Sequence, residues 1–245
     1  MLTYSGCHHP PPVRDAPALE VSGLSTTYEG SRVSALENVN LKVRPGERIA
    51  LVGANGAGKS SLLKVVANLL PRTRGTVRIF GHPCGTCHHR VSFLPQRSEL
   101  DWRFPVDVER LVLAGRYVHM GWLRPPSETD RKLVQEKIAL LQLDHLRGRQ
   151  IGQLSGGQQQ RAILARTLVQ EAELLLLDEP LNAVDARTRK IITDVLDHLK
   201  DQGKTVVMAT HDIGRLDSDF DQAVFMQDGK QVPPPPDQTP AKHTS

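Results

Sequence analysis

The chain has 245 residues, 39% of them hydrophobic, and a formal net charge of +4 from 31 Lys and Arg against 27 Asp and Glu. That length suits one large domain or two modest lobes around a buried core, and no apolar run approaches the ~20 residues a membrane-crossing helix needs. The charge is mild, no basic tract demands nucleic acid, and three cysteines in a chain expected in the cytoplasm argue against a disulfide framework.

Residues 1–17 mix His, Pro and polar residues without an apolar core. They predict a disordered arm and no secretion signal. Residues 18–52 predict strands of an antiparallel layer, with a polar turn at Glu29-Gly30-Ser31, leading into a first core strand at Arg48–Val52. There follows Gly53-Ala54-Asn55-Gly56-Ala57-Gly58-Lys59-Ser60, which matches the spacing G-x-x-x-x-G-K-[ST]. Ser61 to Leu70 then shows apolar residues at helical spacing and stops at Pro71. A strand before and a helix after are the context this motif needs. Glycines let the backbone turn its N–H groups around phosphate oxygens, and the helix start adds a favourable dipole. Gly53, Asn55, Gly56, Ala57, Gly58, Lys59, Ser60 and Ser61 are therefore the candidate nucleotide-binding residues. Lys59 suits the β- and γ-phosphates, and the Ser60 hydroxyl suits Mg²⁺.

Strands are expected near Thr76–Phe80 and Val91–Leu94, and a helical lobe over about 101–154, with a middle broken by Pro and Gly at Gly121–Ser127. Leu154-Ser155-Gly156-Gly157-Gln158 precedes a predicted helix, Gln158 to Val169. Ser155, Gly156 and Gly157 thus offer a hydroxyl, backbone N–H groups and a helix dipole to an anion. Leu174 to Leu177 is an unbroken leucine run, as expected of a strand buried on both faces of a parallel sheet. Asp178 and Glu179 come at its carboxyl end, where ligands bind in open α/β sheets. Asp178 suits Mg²⁺, directly or through water, and Glu179 suits a general base for water. The apolar run Val206–Ala209 leads to His211 on the same kind of edge. From residue 230 the chain is polar and, at Pro233–Pro236, proline-rich, which predicts an extended disordered tail over 230–245. No internal repeat is visible.

In this order and spacing the motifs resemble the ATP-binding subunit of an ABC transporter, over about Leu19 to Gly229. The resemblance implies a P-loop α/β fold with a mostly parallel core sheet, an antiparallel β-subdomain and a helical subdomain, in one ATP-binding domain over 18–229. It implies ATP and Mg²⁺ as cofactors. Tyr28 resembles the aromatic that stacks on adenine, and Gln96 the glutamine that senses Mg²⁺ and the membrane partner. Leu154 to Gln158 is the family signature, Asp178 the metal aspartate and Glu179 the catalytic glutamate. Asp185 sits in the dimer-contact loop, and His211 resembles the switch histidine that contacts the γ-phosphate. The family mechanism implies a head-to-tail dimer of two copies. Each ATP is then clamped between one copy's phosphate loop and the other's Ser155, Gly156, Gly157 and Gln158.

Pro95-Gln96-Arg97-Ser98-Glu99-Leu100-Asp101-Trp102-Arg103-Phe104-Pro105-Val106, followed by Ala114-Gly115-Arg116-Tyr117, is similar to the matching run in ATPases of manganese, zinc and iron importers. This implies an ATPase working on the inner face of the cell membrane through separate permease subunits, and indirectly with an extracytoplasmic metal-binding protein. No nucleic-acid partner is implied. An importer of chelated metal, haem or siderophore stays open, as does a non-transport ATPase acting on nucleic acid or ribosomes. Cys7-His8-His9 and Cys84-Gly85-Thr86-Cys87-His88-His89 hold all three cysteines and four of the ten histidines. C-x-x-C-H also spells a haem attachment site, which needs an exported chain. A regulatory metal site and a plain polar loop are the remaining readings of this cluster.

Overall fold

The computed structural model describes residues 10–28, 30, 33–86, 88–120, 124–212, 214 and 216–235. In chain order the strands and α-helices are β1 (Leu19–Thr27), β2 (Ser34–Val43), β3 (Arg48–Val52), α1 (Lys59–Val66), β4 (Arg74–Ile79), β5 (His82–Pro83), β6 (Val91–Leu94), α2 (Val108–Leu113), α3 (Tyr117–Met120), α4 (Glu128–Leu140), α5 (Gly156–Leu168), β7 (Leu174–Asp178), α6 (Ala186–Asp201), β8 (Thr205–Thr210), α7 (Leu216–Asp219), β9 (Gln222–Gln227) and β10 (Lys230–Val232). They fall into two compact units. One is Pro12–Gly85 with the chain from Thr205 on, and the other is Thr86–Lys204 with the residues up to Pro11.

The first unit holds two sheets. An antiparallel sheet runs β2-β1-β4-β5, registered by Leu19 opposite Val43 on one side and Ile79 on the other. Burial alternates along β1 and β2, so one face of each strand packs inward. In the other sheet β3 lies between β8 and β9 and runs parallel to both, with Ile49 opposite Val207 and Gln222. β3 and β8 are buried at every residue, which explains their apolar runs without alternation. β9 and β10 form a hairpin through Asp228 and Gly229, whose φ values are 48° and 76°. Two positive φ values in a two-residue turn match the right-handed twist of the strands.

In the second unit β6 and β7 pair in parallel, from Val91–Leu174 to Leu94–Leu177. α5 packs against α2, α4 and α6. α4 and α5 each start with a full capping box, Ser127 with Asp130 and Ser155 with Gln158. α6 buries Ile191, Ile192, Val195, Leu196 and Leu199 along one face. The buried Arg116 joins three segments. It donates to Asp130 at the start of α4 (2.8 Å), and to the Val169 carbonyl and the Glu171 carboxylate just after α5 (3.0 Å each).

Several boundaries differ from the sequence expectation. The helix after the phosphate loop begins at Lys59, because Gly58 (φ 99°) already turns the chain. It ends at Val66, because Asn68 adopts φ 60° and the Leu69 and Leu70 amides both turn back to the Lys64 carbonyl. α5 starts two residues before Gln158, since Ser155 is its cap. The disordered arm over 1–17 is corrected for its last residues. The Val13 amide donates to the Phe80 carbonyl and the Ala16 amide to the Val13 carbonyl, at 3.1 Å each, whereas residues 1–9 lie outside the described residues. Pairing also continues past residue 229, because β10 holds Lys230–Val232 against β9. Residues 236–245, and Glu29 and Ser31 of the predicted turn, lie outside the described residues, as do 121–123 of the broken middle.

Candidate functional site

In the first unit β3 delivers the chain into the phosphate loop. A Cβ on Gly53 would run into the Met226 carbonyl, so only glycine lets the loop pass β9 there. Gly56 and Gly58 have φ of 83° and 99°, the region glycine favours. The loop is braced from behind by the β9–β10 hairpin. The Gly229 amide donates to the Ala57 carbonyl at 3.1 Å, and a Cβ on Gly229 would sit 2.7 Å from the Ala35 carbonyl. Gly229→Ala is therefore expected to cost about 2 kcal/mol and to weaken ATP binding. The shift in thermal midpoint and titration with a fluorescent ATP analogue check both.

Lys59 is 4% exposed, and its ammonium donates to the Gly53 (2.7 Å) and Ala54 (3.0 Å) carbonyls. A cation so buried needs such acceptors. Its position over the loop places the charge among the same backbone groups that would receive phosphate oxygens. Asn55 and Gly56 are exposed and Ser60 is half-buried. The Tyr28 hydroxyl shares a hydrogen bond with the buried Ser61 hydroxyl at 3.0 Å, while 43% of the residue stays exposed. Tethered at one end, the ring keeps surface for stacking. His211 follows β8, is exposed, and borders a cleft of about 910 Å³ with Gly53, Asn55, Asp228 and Pro234.

In the second unit the signature stands at the start of α5. Ser155 and Gly156 remain accessible and Gly157 is buried. A Cβ on Gly157 would meet the Thr188 hydroxyl and, at 2.9 Å, the Asp185 carboxylate. Asp185 caps α6 by accepting the Thr188 amide at 2.8 Å and the Thr188 hydroxyl at 3.0 Å. These hydrogen bonds, the amide's first, hold its carboxyl below the usual carboxylate range. Asp185, read from the sequence as part of a dimer-contact loop, thus also backs the signature of its own chain. Gln96, half-buried, caps the short turn Arg97–Glu99.

Asp178 ends β7 fully buried, and Glu179 is 8% exposed. Glu179 has φ 50°, a conformation that non-glycine residues hold only where the surroundings enforce it. The enforcing contacts come from Asn182. Its side-chain amide donates to the Glu179 carboxylate at 2.9 Å, and its backbone N–H donates to the Glu179 carbonyl at 3.1 Å. Asn182 was quoted in the sequence only as part of a loop, and its role as the orienter of Glu179 emerges from the structure.

The residues present fit the expected groups. The glycine positions leave a cradle that side chains would fill. Taken one by one, the Ser60 hydroxyl in the first unit, and the Gln96 amide and Asp178 carboxylate in the second, are hard oxygen donors of the kind that suits Mg²⁺. The Cys84 cluster fits a metal less well. The Cys84 thiol donates to the Val66 carbonyl at 3.4 Å, and burial pushes it up from the ordinary thiol range. Among the described residues no group of three or more His, Cys, Asp or Glu is placed to hold a metal ion. Cys87 and Cys7-His8-His9 lie outside them.

Comparison with known proteins agrees with this geometry. A profile described as ABC transporter matches residues 36–182. The manganese transport system ATP-binding protein MntA of Synechocystis is 42% identical over 210 residues, covering 85% of this chain and 80% of its own. The zinc transport system ATP-binding protein TroB of Treponema pallidum is 41% identical over 209 residues, covering 85% and 78%. A dimeric, post-hydrolysis ATP-binding cassette with bound ADP and Pi superposes with a TM-score of 0.77 at 28% identity, covering 88% of this chain and 97% of that one. Phosphate loop, signature and strand-end carboxylates therefore have one reading: the chain belongs to the ABC transporter family and is an ATP-binding, ATP-hydrolysing cassette.

Proposed function

We propose that this chain is the ATP-hydrolysing subunit that powers an importer of divalent metal ions, with manganese first and zinc or iron next. The observation that carries the reading is relatedness over about 85% of the chain to cassettes named for manganese and zinc transport. The Pro95–Val106 run and Gly115-Arg116-Tyr117 support it, because they flank Gln96, where the family meets its membrane subunit. Among the described residues no helix is long and apolar enough to cross a membrane. Translocation is accordingly assigned to separate permease subunits, which hold the cassette at the inner face of the cell membrane, with an extracytoplasmic metal-binding protein delivering the ion.

Two copies face head to tail. Lys59 and the loop amides of residues 53–60 hold the β- and γ-phosphates, Tyr28 stacks on adenine, and Ser155, Gly156, Gly157 and Gln158 of the second copy close on the γ-phosphate. By the family resemblance Ser60, Asp178 and Gln96 would hold Mg²⁺, which would supply positive charge to the phosphates when bound. Glu179, oriented by Asn182, orients or deprotonates the attacking water. His211 contacts the γ-phosphate, and Asp185 joins the dimer contact. Loss of the γ-phosphate contacts then opens the clamp.

The test is metal accumulation in cells with and without the chain, across manganese, zinc and iron, with Glu179→Gln as a second arm. The expected result is selective loss of one ion in both arms. Unchanged content of all three would discard metal import and leave the ATPase assignment standing.

A further inference from the structure

We infer that Arg97 is a positioning residue, coupling the Gln96 loop to the signature glycines of its own chain. The inference builds on the shared-site reading above, in which those glycines meet the second copy's nucleotide. A Cβ built on Gly156 would lie 3.0 Å from the Arg97 Cζ and closer still to its Nη1. The guanidinium therefore points its Nη1 end into the space that the missing Gly156 side chain leaves. Among the described residues no carboxylate or carbonyl pairs with that guanidinium. Its charge also stands at the N-terminal end of α5, where the helix dipole gives a cation no stabilisation. What remains is shape: a rigid planar group whose Nη1 end is wedged against a glycine.

The wedge is anchored from behind. The Trp102 indole N–H donates to the Arg97 carbonyl at 2.9 Å, and a Cβ on Gly152 would sit 2.7 Å from the Trp102 carbonyl. The segment from Gln96 to Trp102 is thus fastened to the approach to α5 at two points, Gly152 and Gly156. On its other side the signature rests on Thr188 and Asp185 through Gly157. A displacement of the Gln96 loop toward the start of α5 would push on Gly156, because the Arg97 Nη1 end already fills the space beside it. Movement imposed on this loop by a membrane subunit would be delivered to the signature through Arg97.

The test compares Arg97→Ala and Arg97→Lys with the parent chain. Amide hydrogen exchange at Gly156, Gly157 and Gln158 is measured first, without nucleotide, with the amides of Ile163–Ala165 as internal control. Both variants should exchange about tenfold faster at the three signature amides and unchanged at the controls. In steady-state ATP hydrolysis both should lower kcat about fivefold and leave KM within about twofold, because the phosphate loop is untouched. Parent-like exchange in both variants would overturn the inference. So would a Lys variant that restores kcat while exchange stays fast, since charge rather than position would then be the agent. Failure of the shared-site reading is read separately, as absence of ATP-driven dimerisation in Glu179→Gln with Arg97 intact. The exchange measurement does not depend on the dimer.

Discussion

Glu179→Gln is expected to bind ATP, to accumulate as an ATP-bound dimer and to turn over about 10²- to 10⁴-fold more slowly than the parent chain, the range expected when a general base is removed. Glutamine keeps the length of the side chain and an oxygen able to accept the Asn182 amide that holds Glu179 at 2.9 Å. It also inherits the φ of 50° imposed on this position. Geometry is therefore preserved, and the capacity to take a proton from water is lost. Phosphate release under single-turnover conditions gives the rate, and size-exclusion chromatography with and without ATP gives the dimer. Turnover within about tenfold of the parent would remove Glu179 from the role of base. An Asn182→Ala chain should show a smaller loss, because the base is present and only its orientation is released.

The second large effect is on stability. Arg116→Ala should destabilise the fold by about 3 kcal/mol, the lower range for breaking one side of a buried ion pair. That is a large share of the ~5–15 kcal/mol available to a domain. The substitution removes the ion pair to Asp130, the bond to the Val169 carbonyl and the pair to Glu171, and with them the tie between the start of α4 and the end of α5. The shift in urea midpoint measures it, and a change below about 0.5 kcal/mol would show that the network contributes little. The same network sets a pH dependence. Burial, the largest single influence, pushes the Asp130 carboxyl up. Hydrogen bonds from the Ser127 hydroxyl, from Arg116 and from the Ser127 amide together outweigh it and hold the group below the usual carboxylate range. A folded-state pKa below the unfolded value of about 3.9 means stability that is fully present above about pH 4 and lost as pH falls through the folded value. The penalty of Asp130→Asn should therefore be full at pH 7 and shrink below about pH 4. A penalty constant from pH 7 to pH 3 contradicts this assignment.

The order of motifs was legible in the chain because each answers a local requirement. Gly53, Gly56 and Gly58 are glycines for backbone reasons that a short window contains, and β3 and β7 read as buried strands because burial on both faces removes alternation. Helix ends were less legible. The turn at Asn68 and the cap at Ser155 each shift a boundary by two to four residues, since caps depend on backbone angles that periodicity does not report. Pairing of Val13 with Phe80 and of β10 with β9 lay within segments whose composition reads as disordered.

The sequence by itself determined the chemistry: a phosphate loop, an acidic strand end, a signature before a helix, and the family that joins them. All of these are patterns of residue type at short spacing, where covalent geometry limits what the backbone can do. Only the tertiary structure decided which distant groups hold that chemistry in place. Arg116 meets Asp130 and Glu171 across 14 and 55 residues, and Gly229 braces the loop at Ala57. Arg97 lies on Gly156, and Asp185 on Gly157. Such contacts leave no local signature, because a glycine kept for a neighbour's approach reads the same in sequence as a glycine kept for its own φ.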